Sequence, residues 1–158
     1  MFKYIFLFIL SIQSILALDI TIGKYDRVDL PIFNLQDIKA KIDTGAKTSS
    51  LHCSFIKQID EKTVSFEVLD SRHKKYIKKI YTLPITRIAS VRSSNGHIEN
   101  RYVISIKTII FNKTFDIEYT LRNREMMNYP ILLGREFLQK GFIVDVRKED
   151  LSFNKKNK

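Results

Sequence analysis

The sequence has few of the residues that build covalent or nucleotide-binding frameworks. Its 158 residues include five glycines, three prolines, no tryptophan and a single cysteine, Cys53. One cysteine excludes an internal disulfide, so a domain of this length depends on its hydrophobic core. Cys53 lies in an apolar-alternating segment, which predicts a buried side chain rather than a reactive thiol. No Gly-x-x-x-x-Gly-Lys segment is present, which argues against ATP binding.

Long hydrophobic runs are absent after the first 17 residues. The segment MFKYIFLFILSIQSILA begins with a basic residue at Lys3, continues as an apolar run and ends at the small residue Ala17. This layout is typical of a secretory signal peptide. The alternative is an uncleaved membrane anchor, but a span needs about 20 apolar residues. The run is shorter and contains Ser11, Gln13 and Ser14.

This interpretation sets the predicted domain organisation. We expect a signal peptide over residues 1–17, one domain over 18–154 and a disordered basic tail over 155–158. The mature protein is expected to be periplasmic or secreted, with no stable membrane insertion after the signal is cleaved.

Acidic residues are outnumbered by basic ones. The chain has 27 Lys and Arg against 17 Asp and Glu, a formal net charge of +10. The surplus is spread along the chain, apart from RHKKYIKK at 72–79 and KKNK at 155–158, and such runs are usually solvated. Nucleic-acid binding needs basic residues interleaved with exposed aromatics, and export argues against that partner. An acidic peptide or an anionic envelope surface fits the charge better.

Alternation of apolar and polar residues predicts a mainly β domain. TVSFEVL at 63–69 and TFDIEYTL at 114–121 are typical of half-buried strands. Asn95-Gly96 predicts a hairpin turn. GREFLQKG at 134–141 predicts a helix, and a weaker helical turn is predicted at 124–127. Further strands are predicted at 25–30, 38–42, 49–54, 77–83, 85–91, 101–110 and 143–146.

Asp43 stands out because the strand IKAKI, residues 38–42, delivers it into a turn. Gly45 allows the backbone to turn tightly and to approach a neighbour closely. The Thr44 hydroxyl can form a hydrogen bond across that approach. Asp and Gly are ordinary turn residues, so Asp-Thr-Gly alone is a weak indicator of catalysis.

A second segment strengthens the catalytic interpretation. PILLGREFL at 130–138 places two bulky apolar residues before Gly134, Arg135 and a short helix. Asp-Thr-Gly-Ala, a central hairpin and this segment, in that order, resemble the retropepsins, the single-domain aspartic proteases. KIDTGAKTSSLHC, VRSSNGHIENRYVI and MMNYPILLGREFL resemble more closely a bacterial retropepsin-like aspartic endopeptidase family, earlier described as ATP-dependent zinc proteases. The likeness covers residues 22–153.

The resemblance implies a fold and three groups of site residues. The fold would be mainly β, a closed retropepsin-like acid-protease barrel with one short C-terminal helix. Asp43 matches the catalytic aspartate, and Thr44 and Gly45 complete its motif. The loop expected to support the active site is formed by Leu132, Leu133, Gly134 and Arg135. The hairpin expected to act as a flap over substrate is formed by Ser93, Ser94, Asn95 and Gly96.

Lys47 departs from the retroviral pattern. Viral retropepsins carry an acidic residue four places after the catalytic aspartate, where it pairs with the arginine of the Gly-Arg motif. Because this chain has Lys47 there, we expect Arg135 to find another carboxylate. The dimer contacts of the viral enzymes do not carry over.

A count of carboxylates predicts a homodimer. Metal-free amide hydrolysis needs one carboxylate to take a proton from water and a protonated one to donate to the carbonyl. The chain has one Asp-Thr-Gly, so a two-fold dimer would supply the second Asp43. Two carboxyls that close share one proton and titrate as a pair. The predicted function is an aspartic endopeptidase without cofactors, acting on peptide or isopeptide-like amides of an acidic substrate.

Two alternatives stay open at this point. Because a fold does not fix a function, the chain can also be a non-catalytic peptide-binding module of the cell envelope. A zinc peptidase is disfavoured because His52, His73 and His97 are widely separated and lack His-Glu-x-x-His spacing, so no metal ligand is predicted. His52 is near Asp43 in sequence, and strand alternation decides whether both face the same way.

Overall fold

A computed structural model describes residues 19–92 and 96–157. The predicted signal peptide, residues 1–17, lies outside the described residues, as do Ser93, Ser94 and Asn95. Within the described ranges, no helix combines the length and the apolar character that crossing a membrane requires.

Eleven strands and two short helices make up the described part of the chain. The strands are β1 (Ile20–Ile22), β2 (Tyr25–Leu30), β3 (Leu35–Ile42), β4 (Ser49–Asp60), β5 (Thr63–Val68), β6 (Ile80–Pro84), β7 (Arg87–Arg92), β8 (Ile98–Ile110), β9 (Lys113–Arg122), β10 (Ile131–Leu133) and β11 (Phe142–Val144). The helices are α1 (Arg135–Leu138) and α2 (Leu151–Lys156), and a 3-10 turn spans Pro31–Phe33.

Most strands form one curled sheet. Its order is β10-β3-β2-β8-β9-β4-β5-β6, with β7 paired to β8, while β1 and β11 form a separate parallel pair. β10 also pairs with β4, so the sheet curls back on itself. The closure is partial, because β2 and β8 share a single registered pair, Asp29 with Ile109. The mainly β fold is confirmed, and the sheet is a partial ring where a closed barrel was expected.

The observed elements differ from the predicted ones mainly at their ends. β4 continues to Asp60 and β8 begins at Ile98, because each extends into a hairpin with its neighbour. Residues 124–127 form a single turn rather than a helix. Cys53 is fully buried as predicted, and burial raises the pKa of its thiol well above the usual value.

β5 is buried on both faces, although its alternation predicted a half-buried strand. Val64 and Phe66 are fully buried in the core, but Ser65 and Glu67 on the other face are also buried. The chain after β5 covers this second face, where the Tyr76 hydroxyl donates a hydrogen bond to the Glu67 carboxylate. The polar face of β5 can therefore be buried, because the Glu67 carboxylate accepts a hydrogen bond there.

Aromatic packing fixes α1 against the sheet. The ring of Phe137 in α1 lies 4.5 Å from that of Phe142 and meets the ring of Phe115 edge-on at 5.5 Å, measured between centroids. Such pairs contribute about 0.5–1.5 kcal/mol beyond their buried area. Because α1 has four residues, this packing rather than helix propensity stabilises it.

The second helix, α2, was not predicted and depends on a buried acid. Asp26 of β2 is fully buried, and its carboxylate accepts the backbone N–H groups of Ser152 at 2.8 Å and Phe153 at 3.2 Å. First-turn N–H groups have no partner inside a helix, so Asp26 supplies one. Burial raises the pKa of Asp26, and these hydrogen bonds oppose that shift.

The end of α2 corrects the prediction of a disordered tail from residue 155. Lys155 and Lys156 belong to the helix. The Lys156 ammonium lies 3.0 Å from carboxylate oxygens of both Asp29 and Asp37, which holds the last turn against the sheet. The fold therefore has two short helices where one was expected.

Asp26→Asn is expected to lower the free energy of unfolding by about 1–3 kcal/mol, because an amide NH₂ then faces backbone donors in a buried site. Urea denaturation at neutral pH measures the change. The matched control is Asp116→Asn, since Asp116 is exposed and, among the described residues, forms its ion pair with the exposed Lys107. The control should change stability by less than about 1 kcal/mol. Equal losses in both variants would contradict the role of Asp26.

Candidate active site

Asp43 follows β3 directly, at the point where β3 and β10 end side by side. The parallel register pairs Ile42 with Leu133, and the Asp43 N–H donates to the Leu133 carbonyl at 3.0 Å. Leu133 is fully buried and Asp43 is half-buried, while Thr44 and Gly45 are exposed. The backbone of Asp43 is therefore fixed to the sheet, and the motif leads outward from it.

One carboxylate oxygen of Asp43 is committed to its own turn. Oδ1 accepts the N–H groups of Gly45 at 3.0 Å and Ala46 at 3.2 Å, the geometry of an Asx turn. A Cβ at position 45 would lie 3.2 Å from Oδ1, so glycine leaves room for this turn. Oδ2 has no hydrogen-bond partner within residues 19–92 and 96–157. It is available to a water, a substrate or a second carboxyl group.

The turn after Asp43 is fixed by the start of α1. The N–H groups of Arg135 and Glu136 donate to the carbonyls of Ala46 at 2.9 Å and Lys47 at 3.0 Å. These donors have no acceptor inside the helix. The turn therefore satisfies the N-terminus of α1, and α1 in return holds the turn.

Gly134 allows this close approach between the two segments. A Cβ at position 134 would lie 2.9 Å from the backbone carbonyl of Thr48 and from that of Lys47. The Gly134 N–H donates to the Ser49 hydroxyl at 3.1 Å. Leu132, the first residue of the expected support loop, lines the cleft beside Asp43. All four residues of the support loop thus lie next to the Asp43 turn.

The prediction that Arg135 pairs with a carboxylate is wrong. Its Nη1 donates to the carbonyls of Thr44 at 3.0 Å and Gly45 at 2.9 Å, and among the described residues no carboxylate pairs with it. A planar guanidinium carries several donors and can bridge two carbonyls. Lys47, which replaces the viral acid, instead lies 4.0 Å from Glu136 of α1.

The β7–β8 hairpin reaches the same site through Arg87. This residue, the first of β7, donates to the Thr48 hydroxyl at 3.1 Å and pairs with Glu118 at 2.7 Å. Of the four expected flap residues, only Gly96 lies in the described part, where its φ of 83° is the left-handed conformation that favours glycine. The flap role of this hairpin stays a prediction.

Asp43 lines a cleft of about 760 Å³ between the turn, β7 and the ends of β8 and β9. Among the described residues that line it, Asp43 is the one acid. The basic residues that line it are Lys47, Arg87, Arg92, Arg101, Arg122, Arg124 and Arg135. A concave site with this charge attracts anions.

Sequence analysis missed this arginine-lined cleft. The arginines come from β7, β8, β9, the loop after β9 and the start of α1, so they are dispersed in sequence and the local charge pattern did not predict a cluster. One local signal was present: Arg122 and Arg124 are two residues apart at the end of an alternating strand, and such residues share a face while the backbone stays extended.

Acids outside the cleft lining neutralise part of this charge. Glu99 lies 2.7 Å from Arg101 and 3.6 Å from Arg122. Arg87 forms ion pairs with the carboxylates of Glu118 and Glu136, and its Nη2 lies 3.5 Å from Oε2 of Glu136. These pairs allow the guanidinium groups to lie close together.

His52 does not face Asp43. Its Nε2 lies 2.9 Å from Oδ2 of Asp70, and it lines a separate cavity of about 180 Å³ that also contains His73. Within the described part of the chain, no group of three or more His, Cys, Asp and Glu side chains is arranged to hold a metal ion.

Comparison with known proteins identifies a family, several curated sequence relatives and a solved structure with the same fold. The family model described as RimB-like, retropepsin-like aspartic endopeptidase RimB, matches residues 21–155. Curated relatives are named probable alpha-L-glutamate ligase: one from Shewanella halifaxensis is 38% identical over 128 residues, 78% of this chain, and one from Parasynechococcus marenigrum is 37% identical over 129 residues, 80% of this chain. The chain spans 28% of the length of each.

A solved structure shares the fold. It is a crystal structure of a Legionella pneumophila protein of unknown function, which matches with a TM-score of 0.65 and 26% sequence identity. The match covers 84% of this chain and 97% of that one.

Gly134→Ala is expected to lower the free energy of unfolding by about 1–3 kcal/mol, because the added Cβ overlaps backbone atoms that cannot give way cheaply. It should also raise amide hydrogen exchange at residues 43–48, because the turn loses its support from α1.

Gly23→Ala is the matched control, because its Cβ would lie 2.2 Å from the carbonyl of Lys148, away from the Asp43 turn. It should lower stability without raising exchange at 43–48 beyond what global unfolding explains. The same local exchange in both variants contradicts the coupling between Gly134 and the turn.

Proposed function

Because the chain belongs to the RimB-like family of retropepsin-like aspartic endopeptidases, we propose that it hydrolyses amide bonds of acidic peptides, with Asp43 as the catalytic carboxylate. One observation carries the proposal. Asp43 is the one acid among the described residues that line an arginine-rich cleft, and its Oδ2 is not committed to the protein.

The chemistry requires a second carboxyl group. A carboxylate can take a proton from water as the oxygen attacks the amide carbon, while a protonated carboxyl donates to the carbonyl oxygen. Among the described residues that line the cleft of one chain, Asp43 is the one carboxylic acid, so the second group in this proposal is Asp43 of another subunit. In a two-fold dimer the same surface meets itself, and the two carboxyls share one proton.

The turn residues have supporting roles in this mechanism. The N–H groups of Gly45 and Ala46 orient the carboxylate through Oδ1, which leaves Oδ2 for the proposed reaction. Thr44 is exposed next to Asp43 in the chain, and in the proposed dimer its hydroxyl would form a hydrogen bond across the two-fold axis. A carboxylate held by its own turn loses little conformational freedom when substrate binds.

The charge of the cleft supports an acidic substrate. Guanidinium groups bind carboxylates through paired hydrogen bonds, and the cleft presents several. Relatives named as probable glutamate ligases favour a glutamate-containing peptide. Because the chain spans 28% of their length, the ligase activity itself is not part of the proposal.

A second candidate function is a non-catalytic module that binds acidic peptides. The same arginine-lined cleft favours it, because binding a carboxylate needs no second subunit and no proton transfer. The two functions differ in whether Asp43 is required.

Asp43→Asn is expected to reduce hydrolysis of a glutamate-rich peptide by about 10²–10⁴-fold, because an amide can neither take a proton from water nor share one with its mate. Mass spectrometry of the products, from acidic to neutral pH and with or without a chelator, measures this effect. Asp116→Asn, which removes an exposed acid outside the cleft, should keep wild-type activity.

Three results would contradict the aspartic mechanism. Activity that survives Asp43→Asn removes the catalytic role of this residue. Activity lost with the chelator alone favours a metal-dependent enzyme. Tight peptide binding without turnover at any pH, in wild type and variant alike, favours the binding module.

A further inference from the structure

Arg124 differs from the other arginines of the cleft in how deeply it is buried and in what holds it. It follows β9 and is 7% exposed. Its Nε donates to the Tyr129 carbonyl at 3.2 Å, and within the described chain its two Nη atoms have no hydrogen-bond partner. It lines both the Asp43 cleft and the adjacent cavity that contains His52.

Arg124 has no carboxylate partner within the described residues, although its neighbours have one. Arg101, which is buried to a similar extent, lies 2.7 Å from Glu99. Burial, together with the charges of Arg122 and Arg101, lowers the pKa of Arg124 to about 10, and the charge of Asp43 opposes this shift. Arg101, Arg122 and Asp43 all line the same cleft as Arg124.

Among the described residues, no side-chain N or O atom is both fully buried and unpaired. The Nη atoms of Arg124 are therefore accessible and can donate to an anion that enters the site. Arg101 and Arg122 already share Glu99, so another carboxylate placed on them would meet repulsion from that acid. Within the described residues no carboxylate forms an ion pair with Arg124, so the two oxygens of an incoming carboxylate would match its two Nη donors.

The backbone of Arg124 is held by His52. The Arg124 N–H donates to Nδ1 of His52 at 2.8 Å. Nδ1 is therefore the acceptor, which leaves the ring proton on Nε2, 2.9 Å from the Asp70 carboxylate. Asp70 is in turn bound by Arg72, which also pairs with Glu125. Hydrogen bonds thus run in sequence from Asp70 through His52 to the backbone of Arg124.

We propose that Arg124 receives a side-chain carboxylate of the substrate beside Asp43, and that His52 is the positioning residue that fixes Arg124 for this contact. The proposal rests on the acidic substrate of the proposed function, but it concerns binding and not hydrolysis. It assigns Arg124, rather than the overall positive charge, as the determinant of acidic specificity.

Binding is measured in the Asp43→Asn protein, so that turnover does not interfere. The probes are a terminally blocked peptide of four glutamates and the same peptide of four glutamines, titrated by calorimetry. Arg124→Met is expected to weaken binding of the glutamate peptide by about 10- to 100-fold, the loss of one charge-assisted pair, and to leave the glutamine peptide within about twofold. Arg147→Met removes the same charge from an exposed site paired with Asp145 and should leave both affinities unchanged.

His52 is tested with two substitutions and a double variant. His52→Phe keeps a ring but removes the Nδ1 acceptor, so it should weaken the glutamate peptide selectively. His52→Gln retains an acceptor and should recover part of that loss. Because His52 acts through Arg124, adding His52→Phe to Arg124→Met should weaken binding no further. Thermal unfolding identifies any variant that fails to fold. If a His52 variant does not fold, the Arg124→Met protein alone tests whether Arg124 binds the glutamate side chain.

Unchanged glutamate affinity in Arg124→Met overturns the proposal, and so does an equal loss in Arg147→Met. An additive loss in the double variant overturns the positioning role of His52. Failure of the proposed function has a different signature: wild type would not cleave the glutamate peptide, yet would bind it through Arg124. If wild type cleaves the glutamate peptide and Arg124→Met still prefers glutamate over glutamine, the role of Arg124 is contradicted and the proposed function stands.

Discussion

The candidate site depends on the contact between Gly134 and the backbone of Thr48, which leaves no room for a side chain at position 134. This contact brings the first N–H groups of α1 onto the carbonyls of the Asp43 turn. The helix is too short to be stable alone, and the packing of Phe137 against neighbouring rings fixes it to the core. Core packing therefore sets the position of the Asp43 carboxylate through one glycine.

Charge in this protein is arranged around that carboxylate. Arginines from three parts of the sheet meet in one cleft, and acids such as Glu99 and Glu118 allow them to lie close together. Arg135 binds carbonyls of the turn instead of an acid, so it can stabilise the turn without adding a negative charge beside Asp43. The result is a positive cleft in which Asp43 is the one acid among the described lining residues, which is why we propose an anionic substrate.

Sequence patterns predicted the features that depend on residues close together in the chain. Alternation predicted most strands, and the short segments around Asp43 and Gly134 predicted where the turn and its support meet, because each motif is contiguous. The arginine-lined cleft could not be predicted, since Arg87, Arg101 and Arg124 are brought together only by the sheet. For the same reason α2 was missed, because its cap is Asp26, more than a hundred residues earlier. The partner of Arg135 was predicted as an acid because the matching arginine of viral retropepsins pairs with one. A guanidinium can also bind backbone carbonyls, and Arg135 does so.

The central claim is that two Asp43 carboxyls from two subunits make one site. Mixing wild-type and Asp43→Asn subunits in varied proportions, after exchange to equilibrium and at constant total concentration, tests it most directly. If both carboxyls are needed, the rate of peptide hydrolysis falls with the square of the wild-type fraction, to about one quarter for an equal mixture. A rate that falls in direct proportion to the wild-type fraction means that each subunit works alone, and it would contradict the two-subunit site.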